Sequence, residues 1–527
     1  MAQVSRALVS VADKRGAAEF VAGLDALGIE VISTGGTARL LRQKGIRVID
    51  VPDVTGFPEI LNGRFKTLHP LLHCAILALR DTPRHMAELE QHGGRPIDLV
   101  VVNLMPFETT ASRADCTVEE AIETIDIGGP ALVRSAAKNH EWVTVVTDPD
   151  DYDRVLKELR DTASVPATLR AELALKAFRL SAHYDRAIAA YLASNIEGRF
   201  PASLSLDFAK VQELRYGENA HQAAALYREQ APTEPSAGTA VAVSGATALS
   251  YNNLVDLDVA LELIKEFDGP AATVIKHANP CAVAVADSLA EAIDRARTTD
   301  PLAACGGVLA LNRHVDAAIA ERIVAPDDTP QPAHLELIAA PDFDDEALAI
   351  IATRPTWGAH VRVMRTGQWT RNDVDAKAYD LKRVVGGLLV QDRNLALFAQ
   401  GFRTVTDAQP NETVWRDLRF AAACAKHVRS VAIVLARDLA MIGAGAGQMN
   451  ATDAIAMACH KAGPRAKGAV LASDAFLRST DVVAAAADAG CTAIIQPGGG
   501  DNDQAVIDKA NALGLTMVFS GIRHIRR

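Results

Sequence analysis

The sequence predicts an α/β protein whose first part is a parallel sheet with helices on both faces. Three observations carry this. Residues 1 to about 195 alternate short, wholly apolar runs with helix-patterned stretches, as buried strands joined by crossover helices do. A Gly-rich turn, Ser33-Thr34-Gly35-Gly36-Thr37, separates an apolar run from a helical stretch, an arrangement that presents backbone N–H groups to an anion. At 527 residues the chain is too long for one core, so two or three domains are expected.

In chain order, residues 7–11, 29–33, 48–51, 99–104 and 143–147 read as strands, and 17–27, 37–44, 118–124 and 151–160 as helices. Ligands of such a sheet bind at the carboxyl ends of its strands. Residues 172–193 read as a long amphipathic helix, and Asn195-Ile196-Glu197-Gly198-Arg199-Phe200-Pro201 as a linker, with a new unit starting near Leu206. Residues 325–334, rich in Pro and Asp, read as an exposed loop.

Composition narrows the function. Apolar residues are 49% and charged residues 23%, ordinary for a globular protein. A net charge of −11 argues against nucleic-acid or membrane-surface partners, while a local cationic pocket can still take a small anion. No apolar run reaches the ~18 residues needed to span a bilayer, and no signal peptide is visible, so a cytoplasmic location is expected. The seven cysteines are scattered, with no C-x-x-C, as in a reducing compartment. Pro280-Cys281 lacks the second cysteine of a deaminase zinc site, and no catalytic metal is expected.

The most informative stretch is Gly63-Arg64-Phe65-Lys66-Thr67-Leu68-His69-Pro70, two cations and a hydroxyl closed by a proline. It suits a phosphorylated substrate. A basic turn is more often plain solvated surface, and the Gly-rich turn earlier in the chain is what gives it weight. Further segments stand out: Ile125-Asp126-Ile127-Gly128-Gly129-Pro130, Ala136-Ala137-Lys138-Asn139-His140, Leu214-Arg215-Tyr216-Gly217-Glu218-Asn219, Ser250-Tyr251-Asn252-Asn253, Ile275-Lys276-His277-Ala278-Asn279-Pro280-Cys281 and Gly443-Ala444-Gly445-Ala446-Gly447-Gln448. On these collinear segments the chain resembles the bifunctional family that combines aminoimidazole carboxamide ribotide (AICAR) transformylase with IMP cyclohydrolase.

That resemblance implies a methylglyoxal-synthase-like domain over residues 1–198. It implies a tandem of cytidine-deaminase-like transformylase lobes over 199–390 and 391–527. It also implies a small ribotide substrate and a homodimer that shares the transformylase site. In the first domain the family's phosphate and substrate positions fall on Lys14, Thr34, Gly35, Gly36, Thr37, Arg64, Thr67 and Asn103, and its catalytic cluster on Lys66, Asp126 and Lys138. Ring closure of the formamido ribotide needs an anion cradle, a proton carrier and a stabiliser of the formyl oxygen. Asp126, before two glycines, could equally be a turn former or helix cap.

In the second domain the resemblance places catalysis on Lys276 and His277, and ribotide contacts on Arg215, Tyr216, Asn253, Gly306, Glu336 and Arg523. The formyl donor would be N10-formyltetrahydrofolate. A histidine can take the amine proton near neutral pH and a lysine can stabilise the tetrahedral oxyanion. A lone histidine at a strand end is otherwise more often structural.

The chain departs from the family in places. Met105 stands where a tyrosine is usual, and a thioether cannot donate that hydrogen bond. On the donor side Arg429-Ser430-Val431 replaces Lys-Ser-Asn, Asn450-Ala451 replaces Ser-Arg, Leu477-Arg478-Ser479-Thr480 replaces Phe-Pro-Phe-Arg, and Cys305 replaces Phe. These losses imply weakened folate binding. The leading expectation is both activities, with a specialised paralogue acting on an AICAR-like azole ribotide, or an inactive nucleotide-binding scaffold, as alternatives.

Overall fold

The computed structural model describes residues 3–230, 232–245, 247–326, 334–370 and 373–527. The Pro- and Asp-rich stretch at 325–334 lies almost wholly outside them. The chain forms two compact units, Met1–Asp207 and Phe208–Arg527.

The first unit is built on five parallel strands, β1 (Arg6–Ser10), β2 (Glu30–Ser33), β3 (Ile49–Asp50), β4 (Leu99–Val102) and β5 (Thr144–Val146), in the order β3-β2-β1-β4-β5. The apolar runs form strands because both sheet faces are covered. Ala7 and Val9 join Leu99 and Val101 in one core with helices Ala17–Ala26 and Tyr152–Thr162, while Leu8 joins Val100 and Val102 in the opposite core with helices Pro70–Leu77 and Gly128–Lys138. That split follows from the period of two and the register Ala7↔Leu99. Each fully buried Leu or Val contributes about 1.5–3 kcal/mol.

Strand ends differ slightly from the sequence reading. β3 stops at Asp50 because Pro52 lies in the first turn of helix Val51–Thr55 and has no N–H for a ladder. The long helix runs Ala167–Ile196, taking in the start of the expected linker. It buries Leu173, Ala174, Ala177, Ser181 and Tyr184 on one stripe.

The second unit carries a twelve-stranded sheet. Its halves repeat one another. In the first, hairpin strands Ala271–Lys276 and Asn279–Val285 are followed by Gly307–Leu311, Leu335–Ala340 and Arg362–Arg365. In the second, hairpin strands Ile433–Arg437 and Ala440–Gly445 are followed by Val470–Ser473, Ala493–Gln496 and Thr516–Phe519. In each half the strand after the hairpin pairs antiparallel to its first strand, and the next two strands add in parallel. The halves meet edge to edge where Ala284 pairs with Ala440. Each hairpin turns on two residues with positive φ, His277-Ala278 and Asp438-Leu439, as a two-residue hairpin with matching twist requires.

Two candidate active sites

The carboxyl ends of β1, β2 and β4 gather one group of the expected residues. Helix Gly35–Gln43 starts directly after β2, with Thr34 at its N-cap. Gly35 has φ +41°, and a side chain on Gly36 would meet open space, so the turn's backbone faces outward. Thr37 is buried and its hydroxyl hydrogen-bonds Val11 O at 3.1 Å. Lys14 Nζ donates to Val11 O at 2.7 Å and Thr37 Oγ1 at 3.3 Å. The Lys14 stem is exposed, but its ammonium is drawn inward; burial lowers its pKa and the nearby Lys66 charge lowers it further. Lys14 and Lys66 therefore face one region, where an anion would relieve their repulsion.

Asn103 bonds the backbone of the loop that carries Lys14. Its Oδ1 accepts from Ala12 N at 2.6 Å and Asp13 N at 2.9 Å, and its Nδ2 donates to Asp13 O at 3.0 Å. The amide is spent on fixing the loop that carries Lys14. Arg64 is exposed and ion-paired with Glu123 through Nε and Nη2, which leaves the Nη1 donors for an anion.

Asp126 lies just ahead of helix Gly128–Lys138. Its carboxylate accepts from Gly129 N at 2.8 Å and Met105 N at 3.4 Å, and its own N–H donates to Tyr184 Oη at 2.8 Å. The carboxylate is thus a helix cap as well as a site candidate. Thr67, buried, packs so closely on Gly128 that a Cβ there would lie 2.4 Å from its hydroxyl. Thr67 and Asp126 therefore meet at the helix start. Lys138 lies further along that helix. It is the last residue of the same helix, about 15 Å along the axis from Gly128 at 1.5 Å per residue. The next residue, Asn139, hydrogen-bonds Ile76 O and Ala78 O ahead of β5.

The second group surrounds the first hairpin of the second unit. Lys276 ends its strand half-buried and His277 sits exposed at the turn. Lys276 Nζ donates to Cys305 O. A Cβ on Gly306, which has φ +76°, would lie 3.7 Å from that ammonium. Gly306 N in turn donates to His334 O at 2.6 Å. Asn279 links the turn to the second half, donating to His277 O at 3.0 Å and accepting from Arg429 N at 3.0 Å.

Arg215 N donates to Leu249 O, its guanidinium lies over the Tyr216 ring, and Tyr216 O accepts from Tyr251 N. That pairing brings Arg215 and Tyr216 beside Asn253, whose Oδ1 accepts from Ser250 N in a reciprocal helix cap. Glu336 is ion-paired with Arg362 at 2.6 Å. Arg523 lies over the Phe476 ring. The tail around it is pinned: His524 N donates to Asp474 O and Arg526 N to Ser430 Oγ.

The altered donor-side residues do not all face outward. Leu477 is fully buried in the core of the second half, whereas Val431 bonds Gln448 through its backbone and Arg478 stacks on Phe476. Among the described residues no group of three His, Cys, Asp or Glu side chains is placed to hold a metal ion. No described helix is long and apolar enough to cross a membrane. Sequence reasoning missed Tyr184, Glu123 and Asp256, which hold site residues from other elements and carry no local motif.

Residues 16–131 match the family model described as an MGS-like domain, and residues 136–461 match that of the AICARFT/IMPCHase bienzyme. A "Bifunctional purine biosynthesis protein PurH" of Magnetococcus marinus is 49% identical over 100% of both chains. One of the same description from Bacillus subtilis is 46% identical over 99% of both. A solved chain described as "Crystal structure of ForH" is 40% identical, spans 36% of this chain and 98% of its own, and superposes with a TM-score of 0.33. With a family model over more than half its length and relatives this similar end to end, the chain belongs to the AICARFT/IMPCHase bienzyme family.

Proposed function

We propose that this enzyme formylates AICAR and closes the product to IMP in purine biosynthesis, with the formyl-transfer chemistry carried by the Lys276-His277 turn. The observation behind this assignment is that turn's geometry. An exposed histidine at the turn directly follows a lysine whose ammonium is anchored on Cys305 O beside Gly306. The donor set fits a formyl group on folate: an ammonium for a developing oxyanion and an imidazole for a leaving proton. N10-formyltetrahydrofolate, when bound, supplies the formyl carbon. His277 takes the proton of the attacking aromatic amine, and Lys276 faces the formyl oxygen and stabilises its charge. Arg215 and Arg523 supply cationic partners for the ribotide, with Tyr216, Asn253, Gly306 and Glu336 shaping its site.

For cyclisation the reading assigns phosphate binding to Lys14, Thr34, Gly35, Gly36, Thr37, Arg64 and Thr67. Lys66 and Asp126 act at the amide, and Asn103 positions the Lys14 loop. Lys138, at the far end of its helix, remains part of the set only through the resemblance. Supplying the formamido ribotide to Lys66→Ala and Lys138→Ala variants separates the two lysines: loss of IMP formation in the first alone supports the compact site. Equal loss in both overturns it.

The second unit is read as two lobes dividing near residue 390, in line with the two halves of its sheet. A homodimer sharing the transformylase site is supported by the hairpin of strands Tyr379–Val384 and Gly387–Asp392, whose Val385 and Leu389 are exposed. Weakened donor binding rests on Val431, Ala451 and Cys305. A cytoplasmic location agrees with this pathway. Steady-state turnover of AICAR with N10-formyltetrahydrofolate, followed by detection of IMP, tests the function. Absence of IMP would refute it.

A further inference from the structure

The turn that carries His277 is held from below by a helix aspartate. Asp256 Oδ1 accepts from Ala278 N at 2.6 Å, and the His277 N–H is a further donor to the same carboxylate. Asp256 sits six residues after Ser250, the N-cap of helix Tyr251–Ile264. The other half of the sheet repeats this arrangement. Asp417 lies six residues after Asn411, the N-cap of helix Glu412–Lys426. Its two carboxylate oxygens accept from Asp438 N and Leu439 N, both at 2.8 Å. The same 21 residues separate Asp256 from His277 and Asp417 from Asp438.

Both turns use two consecutive residues with positive φ. For a residue with a Cβ this backbone is strained. A carboxylate taking both turn N–H groups offsets that strain through charge-assisted hydrogen bonds. The pair of halves thus contains one structural device used twice. In the second half it holds Arg437-Asp438, whose side chains offer no neutral base. In the first half it holds Lys276-His277.

We propose that Asp256 is a positioning residue for formyl transfer, fixing the backbone of the His277 turn so that the imidazole and the Lys276 ammonium keep their relative placement. This rests on the assignment of His277 above. It goes beyond that assignment in naming what aims the side chain. Asp256 does not touch the reacting atoms in this account. Its effect should therefore appear in turnover more than in binding, because a displacement of about 1 Å can cost ~100-fold in rate.

The duplicated device supplies its own control. Asp256→Asn and Asp417→Asn each keep one acceptor oxygen and replace the other with an amide NH2, which donates and cannot accept. Both variants are made in the full chain, with His277→Ala beside them. kcat and KM for formyl transfer, cyclisation of the formamido ribotide and the melting temperature are measured for each. Asp256→Asn is expected to lower formyl-transfer kcat by about 10- to 100-fold, with KM for AICAR within about 3-fold and cyclisation unchanged. Both variants are expected to lower the melting temperature by similar amounts, with Asp417→Asn leaving kcat within about 3-fold. Equal kcat in the two variants, whether both fall or neither does, would overturn the proposal. Full activity in His277→Ala would instead remove the assignment beneath it and the proposal with it. If Asp256→Asn does not fold, Asp256→Glu serves in its place. That variant keeps the charge but displaces the turn, and the same fall in kcat at unchanged KM is expected, while undiminished kcat overturns the proposal.

Discussion

Met105 and Asp126 show how much one residue decides in the first unit. The Met105 side chain is 46% exposed, while its N–H is one of two donors holding the Asp126 carboxylate. The backbone of Met105 is held beside Asp126, and its thioether offers the pocket no hydroxyl. Met105→Tyr is expected to raise the cyclisation rate about 10-fold or more, since an oxyanion donor contributes ~100- to 1,000-fold where it is well aimed. Single-turnover conversion of the formamido ribotide measures this, and an unchanged rate would mean that the hydroxyl has no place in this pocket. Gly128 is the complementary case. Its missing side chain lets Thr67 pack on the helix start. Gly128→Ala is expected to displace Thr67, cost about 1–3 kcal/mol and raise the KM for cyclisation. A thermal melt with parallel kinetics checks both effects.

Individual elements explain why some of this could be read from the sequence and some could not. The strands of the first unit were legible because an apolar run covered on both faces has no other comfortable place. The Thr34–Thr37 turn was legible because strand, glycines and helix start follow one another without a break. Asp256 was hidden, since one aspartate inside an amphipathic helix looks like an ordinary solvated side chain. Only the spacing shared by Asp256–His277 and Asp417–Asp438 would have signalled it. Asn103 shows a role changing with context: it stands near the cyclisation pocket yet spends its amide on the loop at Ala12 and Asp13. Asn103→Ala removes three hydrogen bonds at roughly 0.5–1.5 kcal/mol each. It is expected to loosen Lys14 and weaken IMP binding with little change in formyl transfer. Calorimetric titration of the variant with IMP measures the effect, and unchanged affinity would return Asn103 to a purely structural part.

At the scale of the whole molecule, the sheet of the second unit depends on pairing that no local pattern encodes, because Ala284 and Ala440 lie far apart in sequence. The buried charges around it make stability depend on acid. Burial pushes the Glu266 carboxyl up, but the hydrogen bonds and charges of His427 and Lys426 outweigh it and bring the carboxyl to about 2, from 4.5. Burial also holds the His427 imidazole below its ordinary value. The charge opposite Glu266 at neutral pH is then that of Lys426, 2.7 Å away, with His427 a neutral hydrogen-bond partner. A depressed carboxyl stabilises the fold above its unfolded value and loses that contribution as pH falls. The melting temperature is expected to drop between about pH 4.5 and pH 2. Glu266→Gln is expected to flatten that part of the profile and to cost about 3–5 kcal/mol at neutral pH by leaving Lys426 buried without its partner. The central claim is that one chain holds two chemically separate sites, with formyl transfer at the Lys276-His277 turn. It is tested most directly by giving His277→Ala first AICAR with N10-formyltetrahydrofolate, then the formamido ribotide alone. No IMP from the first and wild-type IMP formation from the second are expected; undiminished IMP from AICAR would contradict the account.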